Sequence, residues 1–211
     1  MIRLRLACTA PQAPYFQIKS MKNDISRVAL RSLSTIRTCI VGSGPSAFYT
    51  AKYLLKEKKD MHIDIIERLP TPYGLVRAGV APDHPEVKSV QADFARTARD
   101  PRVRYHGGVA LGRDVSVAEL RGAAHFLVLA CGAEGDRRMG IPGEELKGVL
   151  GAREFVHWYN GHPDFQYVDS KFDAQSLKRA VVIGQGNVAL DCARILCKAK
   201  LGLLGGTDIA A

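Results

Sequence analysis

The pattern G-x-G-x-x-A occurs twice in this chain, as Gly42-Ser-Gly44-Pro-Ser-Ala47 and as Gly184-Gln-Gly186-Asn-Val-Ala189. In each, the first glycine permits a tight turn, the second lets backbone approach a phosphate, and the small third residue lets a helix pack closely on a strand. The chemistry such a turn serves is anion binding. Free N–H groups and the positive dipole end of the following helix receive a pyrophosphate. A single such turn says little, because glycine turns are common. Two in matched context predict two nucleotide cofactors on one chain, a flavin and a nicotinamide reductant.

Each turn needs a strand before it and a helix after it. The apolar run Cys39-Ile40-Val41 enters the first turn, and Ala180-Val181-Val182-Ile183 enters the second. After the first, Ala47, Ala51, Leu54 and Leu55 make one helical face, and Lys56 to Asp60 is a charged helix end. His62 to Glu67 then reads as a strand ending in an acid, which completes a β-α-β unit. Glu67 falls about 20 residues beyond the turn, where such units offer a carboxylate to ribose hydroxyls. The plain alternative is a surface acid at a strand end.

Residues 70–88 form a long loop rich in proline and glycine, a kind of segment that is usually functional in a compact domain. Val87 to Arg99 reads as a helix, followed by short strands around Val103–Tyr105 and Val109–Leu111. The near-continuous apolar run from His125 to Cys131 fits a strand buried on both faces of a parallel sheet. A linker begins at Ile141-Pro142-Gly143-Glu144, a short helix covers Ala152 to Tyr159, and Asn160-Gly161-His162-Pro163 is a turn cluster. The helix after the second turn places Val188, Cys192, Ile195 and Ala199 on one face.

Composition narrows the class. The chain has 211 residues, 46% of them apolar, enough for one large domain and part of a second. Its net charge of +9 is unevenly spread. Residues 1–37 carry seven Lys/Arg (Arg3, Arg5, Lys19, Lys22, Arg27, Arg31, Arg37) against Asp24, so +6 lies there; the other 23 basic and 20 acidic residues leave +3. That distribution argues against a nucleic-acid partner. It fits an organelle transit peptide, with Ile18, Met21, Ile25 and Val28 at helical spacing among basic residues. A basic tail without an address is the alternative. Five cysteines (Cys8, Cys39, Cys131, Cys192, Cys197) contain no C-x-x-C, so neither a disulfide scaffold nor a zinc site is expected. Cys39, Cys131 and Cys192 sit in apolar patterns and read as buried small hydrophobes. The six histidines are scattered, with no metal-ligand spacing.

Four stretches together resemble the mitochondrial adrenodoxin reductase, or ferredoxin–NADP reductase, family. They are residues 41–51, residues 72–88 (Pro-Tyr-Gly-Leu-Val-Arg-Ala-Gly-Val-Ala-Pro-Asp-His-Pro-Glu-Val-Lys), residues 141–145 with 155–161, and residues 184–195. The resemblance runs from about residue 38 to the end. It implies an α/β fold: a Rossmann-like, glutathione-reductase-like FAD-binding domain over 38–140, then a linker and the start of a second Rossmann-like NADP-binding domain over 141–211. By motif position, Gly42, Gly44, Ser46 and Ala47 face the FAD pyrophosphate and Glu67 takes the adenosine ribose. Leu75 lines the flavin region, and Leu111 lies near the adenine. Gly184, Gln185, Gly186, Asn187 and Val188 receive the phosphates of NADPH. His84 and Asp191 match family residues thought to be coupled near the flavin and the ferredoxin-facing surface. Their plain readings are a turn-fixing histidine and an acid in the first turn of a helix, where it gains from the dipole.

The implied activity passes electrons from NADPH through FAD to an adrenodoxin-type two-iron ferredoxin. A nicotinamide gives up two electrons as hydride and such a ferredoxin accepts one at a time, so a flavin converts between them. The implied location is the mitochondrial matrix, with a plastid as the alternative. Peripheral membrane association stays open, and no transmembrane segment is expected. Ser46-Ala47 departs from the family's Ala-Gly, a tolerable exchange between small residues. The family's Arg-Arg pair for the 2′-phosphate and its closing Trp- and Gly-containing segment have no counterpart, so the likeness is to the N-terminal half. Two alternatives follow: a truncated, non-catalytic flavin-binding remnant, and a related flavoprotein with another acceptor. Disulfide reductases of this class need a redox cysteine pair, which fits this sequence less well.

Overall fold

A computed structural model describes residues 35–171, 178–207 and 209. The expected transit segment lies outside the described residues except for residues 35–37, of which Ile36 and Arg37 open the first strand. The described residues group into two compact units, one made of 35–76 with 89–133, the other of 77–88 with the described part of 134–209.

The first unit is built on a four-stranded, wholly parallel sheet. Its strands are β1 (Ile36–Val41), β2 (Met61–Glu67), β3 (Val103–Gly107) and β4 (Phe126–Leu129), in spatial order β3-β2-β1-β4. Parallel neighbours need helical crossovers. These are α1 (Pro45–Glu57) between β1 and β2, α3 (Val90–Ala98) between β2 and β3, and α4 (Val117–Ala123) before β4. A four-residue helix α2 (Leu75–Ala78) and a single 3-10 turn, Val87–Ser89, interrupt the expected loop 70–88.

Residue alternation along each strand feeds two cores. Ile40, Ile63 and Ile65 face Ala47, Phe48, Ala51 and Leu55 of α1 and Phe94 of α3. The Phe48 and Phe94 rings stack at 5.1 Å between centroids. Cys39, Val41 and Ile66 face the other way, onto Val109, Val115 and Leu120 of α4. That helix starts with a capping box: Ser116 Oγ accepts from the Glu119 N–H, and the Glu119 carboxylate accepts from the Ser116 N–H at 2.8 Å.

The strand order decides where a ligand can sit. The chain runs outward from β1 to β2 to β3, then returns to β4 on the opposite side of β1. In open parallel sheets, ligands bind outside the carboxyl ends of the strands at such a reversal of strand order.

The second unit contains α5 (Ala152–Tyr159), a 3-10 stretch Pro163–Ser170, and α6 (Asn187–Lys200). Val156 and Tyr159 of α5 pack with Cys192 and Ile195 of α6 and with Ala81.

Several expectations are corrected. Val109–Leu111 forms no strand; Leu111 makes an isolated bridge to Val115. β4 is not buried on both faces: it pairs only with β1, and Phe126 and Leu129 are 58% and 61% exposed, because the described residues place nothing on its other edge. Cys131, just past that strand, is accordingly exposed rather than buried. Ala180–Ile183 makes no ladder, since every described strand belongs to the other unit, and Val181 and Ile183 stand exposed. On α6, Cys192 and Ile195 are buried as expected, whereas Val188 is about half exposed and Ala199 is exposed.

Candidate functional site

The first glycine turn sits at the carboxyl end of β1, where the strand order reverses. Gly42 has φ +102°, a conformation that L side chains rarely adopt. A Cβ there would press on the Ala130 carbonyl, with its carbon at 2.6 Å and Cys131 Cα at 2.9 Å. Gly42 is thus required by the return of β4. Gly44 differs: a Cβ on it would meet nothing within 4 Å. Its lack of a side chain keeps space open rather than relieving a protein contact. Gly44 is also the N-cap of α1, no side chain caps that helix, and Pro45 occupies its first turn. Phe48 is the first residue whose N–H closes on Gly44, at 3.1 Å, so the N–H groups of Ser46 and Ala47 precede the helix ladder. Ser46 is exposed and Ala47 is buried against the sheet.

The turn is braced from below by Glu67, at the end of β2. One oxygen of its carboxylate accepts both the N–H and the hydroxyl of Ser43, at 3.0 and 2.7 Å, and the other accepts the Leu69 N–H at 2.9 Å. Ser43 is fully buried. Sequence reasoning missed it, although it is the first free position of the G-x-G pattern.

The start of the 70–88 segment lies over this turn. The Tyr73 N–H donates to the Ser43 carbonyl at 2.9 Å. A Cβ on Gly74, which has φ +47°, would come within 3.1 Å of Gly44 Cα. Tyr73 itself has φ +90°, a strained state for a side-chain-bearing residue, and the kind of strain found at ligand sites. Its ring, 5.4 Å from Phe48 and 6.0 Å from Phe94, holds it there. Leu75 is 60% exposed and Leu111 half-buried; no structural contact distinguishes either as a ligand group.

The second turn keeps the helix half of its expected junction. Gly184 has φ +133°, Gly186 is the N-cap of α6 without a side-chain cap, and a Cβ on Gly186 would meet nothing within 4 Å. Leu190 is the first residue whose N–H closes on Gly186, at 3.1 Å. The N–H groups of Asn187, Val188 and Ala189 therefore precede the ladder. Gln185, Asn187 and Val188 are all exposed.

His84 and Asp191 do not touch. His84 Nδ1 lies 2.8 Å from Glu86 Oε1, and the His84 N–H donates to the Ala81 carbonyl at 3.0 Å. Asp191 is in the second turn of α6, not the first, because the helix begins at Asn187; it pairs with Arg194 at 2.7 Å rather than with the dipole. The residue between the two is Asp83, which sequence reasoning passed over. It accepts from Arg194 Nε at 2.7 Å, Arg194 Nη2 at 3.0 Å and Lys198 Nζ at 2.8 Å, with its side chain 3% exposed. Hydrogen bonding from Arg194 holds the Asp83 carboxyl well below the usual carboxylate range, and the same bond raises Arg194. Asp191 and Arg194 stand at i and i+3 of a helix, a pairing that could have been read from the sequence.

The residues present fit two dinucleotides. Each cradle has a glycine whose missing side chain leaves room, at the uncapped amino end of a helix. Such an arrangement receives a pyrophosphate through backbone N–H groups, and the first adds a carboxylate within the same unit. Among the described residues there is no cluster of three or more His, Cys, Asp or Glu placed to hold a metal ion, and no helix is long and apolar enough to cross a membrane.

Comparison with known proteins agrees. A family model described as pyridine nucleotide-disulphide oxidoreductase matches residues 36–203. The chain is similar to NADPH:adrenodoxin oxidoreductase, mitochondrial, of Arabidopsis thaliana, at 55% identity over 83% of this chain and 36% of that protein. It is similar to NADPH-ferredoxin reductase FprA of Mycobacterium tuberculosis, at 51% identity over 81% of this chain and 38% of the relative. The solved structure of that bacterium's FprA in complex with NADPH superposes with a TM-score of 0.73, at 51% identity, over 76% of this chain and 36% of the other. The chain spans about a third of the length of the curated relatives it matches.

Proposed function

The chain belongs to the pyridine nucleotide-disulphide oxidoreductase family, and on that premise we propose that it is the nucleotide-binding part of an NADPH-dependent, FAD-containing ferredoxin reductase. One observation carries the reading: Gly44 and Gly186 each head an uncapped helix with nothing within 4 Å of the missing Cβ. In this reading residues 38–140 hold FAD and residues 141–211 are the linker and the beginning of the NADP-binding domain.

FAD, when bound, would supply the conversion of a two-electron hydride into single electrons for a ferredoxin. The chain's own residues bind and orient. N–H groups of Ser46 and Ala47 would receive the FAD pyrophosphate, and the glycines at 42 and 44 let backbone approach it. Glu67 would accept a ribose hydroxyl on the oxygen that serves only Leu69. Leu75 would line the flavin region and Leu111 the adenine side. Gly184, Gln185, Gly186, Asn187 and Val188 would take the NADPH phosphates, and His84 and Asp191 would stand on the flavin- and ferredoxin-facing side. The ferredoxin would be an adrenodoxin-type two-iron protein. With the basic segment before residue 38 and relatives named mitochondrial, the location would be the mitochondrial matrix.

Purified 211-residue chain should carry bound-flavin absorbance that NADPH bleaches, and should support ferredoxin-dependent cytochrome reduction but not disulfide reduction. A colourless chain that refuses added FAD would remove the reading. A second reading, flavin binding without turnover, is favoured by the exposed apolar residues Phe126 and Leu129 on the β4 edge. Flavin absorbance that NADPH fails to bleach would select it.

A further inference from the structure

We propose that Arg194 is a positioning residue that couples the segment carrying His84 to Asp191, a role that rests on the reading of His84 and Asp191 as flavin-side residues. One guanidinium touches both carboxylates concerned. Its Nε and Nη2 grip the two oxygens of Asp83 at 2.7 and 3.0 Å, and the same Nη2 reaches Asp191 Oδ1 at 2.7 Å. His84 follows Asp83 directly, so holding the Asp83 carboxylate holds the backbone from which the imidazole projects.

The geometry favours arginine at this position. A planar fork can present two N–H groups to one carboxylate and keep a third for another, which an ammonium cannot do at fixed angles. Lys198, one helical turn further along α6, adds a single donor to Asp83 at 2.8 Å. The two cations and two carboxylates balance, which a side chain as buried as Asp83 requires. The other end of the segment is tied too: the Ala78 carbonyl accepts from His157 Nδ1 at 3.1 Å and Asn160 Nδ2 at 3.2 Å. Between these ties, Ala81 packs against Val156, Tyr159, Cys192 and Ile195. Ala78 is therefore fastened to α5, while Asp83 is fastened to α6, the helix that begins at the second glycine turn. The Asp83 tie shares its guanidinium with Asp191.

Amide hydrogen exchange on the 211-residue chain tests this without any cofactor. Arg194→Ala should speed exchange of the His84 and Val87 N–H groups, which close the turns onto Ala81 and His84, at least tenfold. Amides inside α6, such as Ile195, should stay protected. Arg194→Lys should give an intermediate loss at the same two amides, and Asp83→Asn should loosen the same sites without adding to Arg194→Ala in the double variant. In flavin-loaded chain, Arg194→Lys should slow NADPH-driven bleaching severalfold while NADPH half-saturation stays within twofold. Unchanged exchange at His84 and Val87 in Arg194→Ala overturns the proposal. Equal loss of protection across α5 and α6 in all variants overturns it as well, since that marks a general role in folding. Local loosening with undiminished bleaching upholds the role of Arg194 and instead removes His84 from the flavin site.

Discussion

Ser43 gives both its backbone N–H and its hydroxyl to a single oxygen of Glu67, at 3.0 and 2.7 Å. The strand-end acid is therefore a brace of the glycine turn as well as a candidate ribose ligand. A carboxylate offers about four lone-pair sites. Three are filled here, counting the Leu69 N–H, so a ribose hydroxyl has one left. Glu67→Gln replaces one acceptor oxygen by a donor amide, which must face either the paired Ser43 donors or Leu69. The variant should lose about 1–3 kcal/mol of stability and bind flavin at least tenfold more weakly. Ser43→Ala frees a lone pair and should lose only about 1 kcal/mol while still binding flavin. Urea unfolding and flavin titration of both variants check the contrast.

Gly42 and Gly44, two residues apart, should fail in different ways. Gly42→Ala forces a side chain into the chain at Ala130 and Cys131 at φ +102°. It should cost at least about 1–3 kcal/mol from backbone strain alone and lower the melting temperature of the flavin-free chain. Gly44→Ala adds a methyl to open space at φ −76°, so the flavin-free chain should melt within a few degrees of wild type. The same methyl fills the room kept for phosphate, and flavin absorbance should disappear. Circular dichroism melts beside absorbance spectra separate the two. Loss of stability in Gly44→Ala, or flavin retained by it, would contradict the cradle.

Much of this architecture was legible. The β-α-β unit through Glu67 follows from a 3.6-residue period between two short apolar runs, and it appears as Pro45–Glu57 between Ile36–Val41 and Met61–Glu67. The helix over Ala152–Tyr159 was readable for the same reason. What failed was whatever depended on neighbours. An apolar run such as Ala180–Ile183 becomes a strand only where a ladder partner exists, and burial of Phe126 and Leu129 requires a layer outside β4. Periodicity reports neither. Ser43 was missed because its role is a contact across 24 residues, and Asp83 because its partners lie 111 and 115 residues away. Spacing along the chain carries local geometry, whereas such pairs exist only after folding.

The second cradle should be separable from the first. A Cβ on Gly186, with φ −77°, meets no protein atom within 4 Å. Gly186→Ala should thus leave folding and flavin content unchanged while weakening NADPH at least tenfold. Gly184 at φ +133° is different in kind: Gly184→Ala should strain the turn by about 1–3 kcal/mol. Flavin bleaching measured against NADPH concentration distinguishes them. Equal loss of flavin in Gly186→Ala would mean that the turns do not serve different nucleotides.

Acid should loosen the unit containing α5 and α6 in two separable stages. His157 is 4% exposed, with its ring 4.8 Å from both His162 and Phe165. Its Nδ1 donates to the Ala78 carbonyl, and Nε2, buried, has no partner among the described residues. Burial, then the nearness of His162 and Arg153, pulls this imidazole down to about 4 from an ordinary 6.5. A base whose folded pKa is depressed takes up its proton first in the unfolded chain. Its contribution to stability is therefore complete above about 6.5 and is lost as pH falls from there to about 4. Asp83, held low by Arg194, is an acid with a depressed folded pKa, so its contribution is complete above its ordinary 3.8 and is lost below that. The two windows meet near pH 4 without overlapping. Melting temperature followed from pH 7 to pH 2 should fall less steeply than in wild type between 6.5 and 4 in His157→Gln, with the slope below 4 kept. In Asp83→Asn it should fall less steeply only below 4, where the other depressed carboxylates still contribute. Parallel curves for wild type and His157→Gln down to pH 4 would show that the buried ring does not govern the first stage.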